Sequence, residues 1–262
     1  MPLPTFTIKN RKMKPSRRKF LKTGIAIAGG MVATSLLKPF NGILFATEEP
    51  KGSGPWYGIG IDIEKCIGCG NCAGSCKQEN NVPRQPFYFR NWVEQYTVMT
   101  DGTVKVESPN GGIDGFRQSV PDRDIFKSFF VPKMCNHCSK SPCTQVCPVG
   151  AAFETPDGVN LVDGRYCIGC GYCIQACPYG CRYLHPETHV VDKCTLCYHR
   201  ITKGLLPVCF EVCPTHARIF GDLRDKDGEL VRFLKDHTCR VLKPHLNTGP
   251  KLYYNALNEE VR

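Results

Sequence analysis

The stretch CIGCGYCIQACP, residues 167–178, places Cys167, Cys170, Cys173 and Cys177 with gaps of two, two and three residues and ends on Pro178. A tight loop with a thiolate at every third residue presents three soft donors from one side, its backbone N–H groups turned toward the sulfurs. A 4Fe-4S cubane needs four thiolates at tetrahedral corners, so the fourth must come from elsewhere in the chain. The proline fixes the backbone as it leaves the last cysteine.

Three further groups flank this one. Cys66, Cys69, Cys72 and Cys76 repeat the spacing, with Lys77 where the proline would stand; Cys135, Cys138, Cys143 and Cys147 widen the middle gap to four residues before Pro148. Cys194 and Cys197 are followed after eleven residues by Cys209, Cys213 and Pro214, so four quartets take up 16 of the 18 cysteines. Zinc ribbons are satisfied by two distant C-x2-C pairs and have no use for the third and fourth cysteine of each group. Closely spaced C-x2-C-x2-C runs are poor geometry for disulfides. Covalent haem needs C-x-x-C-H, and in CTLCYH His199 stands one place too late. Four 4Fe-4S clusters are therefore the expected cofactors. In two-cluster runs of this kind the last cysteine ligates the other cluster, which brings clusters close together.

The net charge of +10 looks like a nucleic-acid signature until it is mapped. Lys9, Arg11, Lys12, Lys14, Arg17, Arg18, Lys19, Lys22 and Lys38 all precede the first acid, Glu48, and the rest of the chain carries 25 basic against 24 acidic residues. The excess is an N-terminal address, and no nucleic-acid partner is expected. SRRKFLK, residues 16–22, followed by apolar Thr23 to Leu37, has the parts of a twin-arginine export signal. This stretch of fifteen residues, rich in Gly and Ala, falls short of the roughly 20 a transmembrane helix needs. Cleavage near Ala46 is expected, with an uncleaved N-terminal anchor as the alternative, since Leu44 stands where a small residue is preferred. Signal and cysteines support one another: iron–sulfur clusters are assembled in a reducing cytoplasm, and the twin-arginine route carries folded cargo.

From about Tyr57 to Leu223 the four quartets, together with CKQENNVP, CNHCSKSPCTQVCPVGA, CIGCGYCIQACPYG and DKCTLCYHRITKGLLPVCFEVCPTHARIFGDL, resemble the four-cluster ferredoxin subunits of the DMSO reductase, polysulfide reductase and formate-dependent nitrite reductase systems. The signal and FYFRNWVEQY are most similar to the exported subunit of the membrane complex associated with dissimilatory sulfite reductase. The resemblance implies nested ligation. Cys213 would complete Cys66, Cys69 and Cys72; Cys76 would complete Cys194, Cys197 and Cys209; Cys177 would complete Cys135, Cys138 and Cys143; and Cys147 would complete Cys167, Cys170 and Cys173. It implies an α+β fold of two ferredoxin-like units, one inserted in the other. The signal would occupy 1–46, the first half of the outer unit with a hairpin insertion 55–127, the inner unit 128–185, the second half of the outer unit 186–225 and a tail 226–262. It further implies electron transfer without a substrate site, in a respiratory complex on the periplasmic face of the cytoplasmic membrane, linked to sulfur metabolism. The partners would be a multi-pass quinone-reactive membrane subunit of the NrfD-like kind and a cytochrome c; the alternative partner is an exported molybdopterin reductase for a sulfur, nitrogen or arsenic compound.

The connecting segments carry their own signals. WYGIGIDI alternates like a strand, and hairpins are expected at Asp101-Gly102 within TVMTDGTVKV and at Asp157-Gly158 within FETPDGVNLVD. ITKGLLP is expected to be a short amphipathic helix, and VRFLKDHTCRVLKPHLNTGPKLYYNAL a mixture of strand and turn with no membrane-crossing run. Cys181 and Cys239, outside the quartets, read as small core thiols, and His137 as a polar neighbour. Lys65, Lys133 and Lys193, close before three of the groups, read as solvated surface charges, with tuning of cluster potentials as the alternative. Trp92, Tyr96 and Phe87-Tyr88-Phe89 read as core or partner interface.

Overall fold

The computed structural model describes residues 53–85, 87–117 and 120–261; the expected export signal and the expected cleavage near Ala46 lie outside them. β1 (Tyr57–Asp62) is the centre of a three-stranded sheet, antiparallel to β9 (Arg218–Asp222) and parallel to β10 (Leu252–Asn255). Its alternation is the cause of its placement. Ile59 and Ile61 point into the core beside Leu252 and Tyr254, while Gly60 on the opposite face lets α6 (Glu229–Asp236) approach, since a Cβ there would meet the Phe233 ring at 2.8 Å.

A second sheet, in the order β3 (Val104–Glu107), β2 (Asn91–Met99), β4 (Ile125–Met134), is antiparallel throughout, with the expected hairpin turning at Asp101-Gly102. Tyr254 donates its hydroxyl to the Pro132 carbonyl at 3.0 Å and so ties the first sheet to β4. Two short hairpins complete the strands: β5 (Ala152–Glu154) with β6 (Asn160–Val162), turning at Asp157-Gly158 as expected, and β7 (Arg182–Leu184) with β8 (Val191–Lys193).

The helices are mostly single turns. α1 (Asn71–Glu79) packs against α5 (Val208–Glu211), and α2 (Pro142–Gln145) against α3 (Tyr172–Gln175). Two expectations are corrected. ITKGLLP is not a helix: α4 (Tyr198–Ile201) ends at its first residue, because Gly204 takes φ +74° and Pro207 serves as the N-cap of α5. The segment read as strand and turn begins instead within α6, whose Leu230, Phe233 and Leu234 bury one helical face; only its end forms β10. Among the described residues no helix is long and apolar enough to cross a membrane.

Candidate metal centres

Strands deliver the cysteine loops. β4 ends at Met134 and β8 at Lys193, each the residue before the first cysteine of a group, while β7 and β9 open with Arg182 and Arg218, five residues past the last cysteine of the third and fourth groups. Each C-x2-C pair closes on a left-handed residue: φ is +70° at Gly68, +43° at His137, +68° at Gly169 and +55° at Leu196. This conformation turns amides toward the first sulfur. Leu196 N–H donates to Cys194 Sγ at 3.3 Å, and the N–H groups of Gly68 and His137 serve Cys66 and Cys135 in the same way. Non-glycine residues resist this region by about 1–2 kcal/mol, so His137 and Leu196 are held in it by their surroundings, and both are buried.

The third cysteine of every group, Cys72, Cys143, Cys173 or Cys209, is the second residue of a helix, and all four are buried. The fold interleaves the groups. The Asn80 side-chain amide reaches both Cys76 Sγ (3.6 Å) and Cys197 Sγ (3.5 Å), 117 residues beyond it. Cys66 lies close to Cys72 and Cys213, and Cys138 close to Cys135, Cys143 and Cys177. Cys167 and Cys173 share a cluster of buried side chains with Cys143. Cys147 sits just before β5, where its Sγ accepts the Ala152 N–H at 3.4 Å; β6, the partner strand, leads into the Cys167 loop. Cys69 and Cys170, the second cysteines of the first and third groups, are exposed.

The donor set fits iron–sulfur clusters. All eighteen thiols are free, and among the described residues no three His, Cys, Asp or Glu side chains crowd closely enough to chelate one ion. A cubane spreads its thiolates over four irons and accepts that wider spacing, which a single zinc ion does not. Burial pushes the Cys66 and Cys76 thiols up to about 11 and Cys138 to about 12. Cys177 moves the other way, to about 5, chiefly through hydrogen bonding from Cys181, which gives that buried core thiol a role the spacing alone did not reveal. Buried donors await acceptors. His137 accepts the Asn160 N–H at Nδ1 (3.1 Å), and its Nε2 has no partner among the described residues; Nε and Nη1 of Arg182 are in the same position. Proteins rarely bury such groups unmet, and cluster sulfurs would meet them.

The lysines divide. Lys65 is exposed and pairs with Asp62 at 3.2 Å. Lys133 and Lys193 correct the surface reading: they are 8% and 1% exposed. Lys133 bonds Glu94 Oε2 (2.7 Å) and the Tyr96 hydroxyl (3.0 Å), in a network that Trp92 joins through Glu94 Oε1. Tyr96 is core, and Phe87 is 84% exposed.

Models of the 4Fe-4S dicluster domain match residues 65–151 and 126–223. A component of the tetrathionate reductase of Salmonella typhimurium is 38% identical over 94% of this chain and 90% of that protein. Protein NrfC of Escherichia coli is 36% identical over 91% of this chain and 94% of its own length. The Hdr-like menaquinol oxidoreductase iron-sulfur subunit 1 of Archaeoglobus fulgidus is 30% identical over 94% of this chain and 99% of its own.

Proposed function

The chain belongs to the 4Fe-4S dicluster family of iron–sulfur electron-transfer subunits, and on that premise we propose that it holds four clusters by nested exchange of cysteines. Cys213 completes Cys66, Cys69 and Cys72; Cys76 completes Cys194, Cys197 and Cys209; Cys177 completes Cys135, Cys138 and Cys143; Cys147 completes Cys167, Cys170 and Cys173. The observation that carries this is the Asn80 amide spanning Cys76 and Cys197, with the packing of α1 on α5 and α2 on α3 in support. The pairing of β1 with β9 supports one ferredoxin-like unit inserted in the other. When bound, the clusters supply one-electron carriers. The chain's own part is to hold the thiolates, direct N–H groups at the sulfurs and keep most of the ligands from water.

The test is Cys76→Ser in anaerobically prepared protein. Nested ligation expects the cluster of Cys194, Cys197 and Cys209 to be lost or altered in its electron paramagnetic resonance signal, while the cluster of Cys66, Cys69 and Cys72 keeps its own. The reverse outcome refutes the pairing.

The protein has no substrate site of its own in this proposal and works after twin-arginine export, against a quinone-reactive membrane subunit. Relatives named for reductases of tetrathionate, dimethyl sulfoxide and arsenate favour a reductase as the other partner; the relative named menaquinol oxidoreductase favours a quinol-linked complex, in which a cytochrome c would be the other partner. Gentle detergent extraction and capture through this chain separates them. A large molybdopterin protein means the first, and a multi-pass quinone protein with a multihaem cytochrome means the second.

A further inference from the structure

The cations withdrawn from water around the cysteine groups fall into two kinds. Lys133 has Glu94 at 2.7 Å and Arg90 has Asp192 at 3.0 Å, ordinary charge pairs; Lys251 likewise has Glu154 at 3.3 Å. Arg182, Lys193 and Arg218, 4%, 1% and 5% exposed, join in no ion pair with any carboxylate among the described residues. Burying a cation without an anion is strongly unfavourable. What they touch instead includes cysteine in every case, as sulfur for the two arginines and as a backbone carbonyl for Lys193, with Asn91 Oδ1 and Met134 Sδ also on Arg218 and the Asn160 carbonyl on Lys193.

Their positions follow the quartets. Arg218 donates from Nη2 to Cys72 Sγ at 3.2 Å and lies beside Cys209, so it stands where the first and fourth groups meet. Arg182 donates from Nη2 to Cys143 Sγ at 2.9 Å and lies beside Cys173, where the second and third groups meet. Lys193 bonds the Cys194 carbonyl at 2.6 Å and the Asn160 carbonyl. Asn160 in turn donates its N–H to His137 and its side-chain amide to the Cys138 carbonyl, so Lys193 joins the fourth group to the second. Arg182 and Lys193 are moreover direct cross-strand partners in β7 and β8, where like charges repel unless anions surround them.

Resting on the nested ligation proposed above, we infer that Arg218, Lys193 and Arg182 are junction charges, one between each neighbouring pair of clusters, each raising the reduction potentials of the two clusters beside it. A cubane held by four thiolates is a net anion that gains one more negative charge on reduction, and net charge and hydrogen bonds to sulfur set its potential. A fixed cation between two clusters favours the reduced form of each and offsets the repulsion between them. The sulfur-bound donors of Arg218 and Arg182 add a hydrogen bond to that charge.

The experiment is a redox titration of the fully loaded chain, followed by electron paramagnetic resonance with iron and acid-labile sulfide measured on each sample. Arg218→Gln is expected to shift the reduction equilibrium of the two flanking clusters about tenfold against reduction, about 59 mV lower for a one-electron couple. Arg218→Lys is expected to stay near the unaltered values, and Lys65→Gln, removing an exposed lysine next to Cys66, to leave them in place. If Arg218→Gln fails to load while Arg218→Lys loads with unaltered potentials, charge at the junction is again what is needed. The inference is overturned if Arg218→Gln loads fully with unmoved potentials, if neither variant loads, or if Lys65→Gln shifts potentials as far. Arg182→Gln and Lys193→Gln repeat the test at the other junctions. Iron and sulfide well short of four clusters in the unaltered chain would refute the ligation itself, whereas four clusters indifferent to the charge refute only the junction role.

Discussion

At the scale of the residue, the two cysteines outside the quartets separate chemically. Cys181 is buried, with its Sγ 3.1 Å from the Met134 carbonyl oxygen. Cys239 is half-buried, and burial, aided by the Asp62 charge, raises its thiol from 9.0 to about 11. Because the folded value lies above the unfolded one, the neutral thiol contributes stability that is complete below about 9 and is lost as the pH rises through about 11. The thiolate is the nucleophile, so alkylation of Cys239 by iodoacetamide in the loaded protein is expected to be slow at pH 8 and to climb steeply toward pH 11, read by mass spectrometry. Rapid labelling at pH about 8 would contradict the shift. The four cysteine quartets and the dicluster family they point to were legible because the spacing of the thiols is itself the chemistry. The junction cations were not: Arg182 and Arg218 each stand five residues past the last cysteine of a group, a shared offset that was visible, but only the structure shows that neither meets a carboxylate.

At the scale of the element, each cluster loop depends on backbone that side chains cannot replace. Gly169 has φ +68°, and a Cβ would meet the His189 carbonyl oxygen at 2.6 Å; Gly171, two residues on, has φ +76° with nothing within 4 Å. Gly171→Ala is expected to cost about 1–2 kcal/mol for the left-handed conformation alone and to keep its iron. Gly169→Ala adds a backbone clash that cannot relax cheaply, so its iron content is expected to fall by about one cluster of the four. Equal iron in the two variants would remove the clash as a cause. In the β2–β4 ladder, Glu94 accepts from Trp92, Tyr96 and Lys133 together. Glu94→Gln takes the carboxylate from a largely buried lysine, a loss expected near the lower end of roughly 3–5 kcal/mol and measured as a lower melting temperature under anaerobic conditions. Both hairpins were readable from Asp-Gly at the turn, because a positive φ there demands such residues. α6 was missed although Leu230, Phe233 and Leu234 have helical spacing; the neighbouring β-branched and aromatic residues of the tail outweighed three apolar positions.

At the scale of the whole molecule, the least local feature is the parallel pairing of β10 with β1, which joins Ile59 to Leu252. No turn residue or periodicity announces a partner so distant in sequence, and so the tail read only as a mixture of strand and turn with no place in a sheet. In the structure it is core: Leu252, Tyr253 and Tyr254 are buried, Tyr254 reaches the Pro132 carbonyl, and the Lys251 N–H donates to the Asn136 carbonyl within the second cysteine loop at 2.9 Å. Full burial of a large apolar side chain stabilises by roughly 1.5–3 kcal/mol, and three of them together approach the whole margin of about 5–15 kcal/mol by which a domain is stable. A chain ending at Pro250 is therefore expected to yield little soluble protein and no iron. A chain ending at Leu257 keeps β10 and gives up Val261, the Lys127 contacts to Asn258 and Glu260, and the long Arg240–Glu259 pair, surface pairs worth at most about 1 kcal/mol each. It is expected to fold and load all its clusters. Iron and sulfide per chain decide it: full loading of the chain ending at Pro250 would mean that the cysteine groups assemble without the strand that braces them.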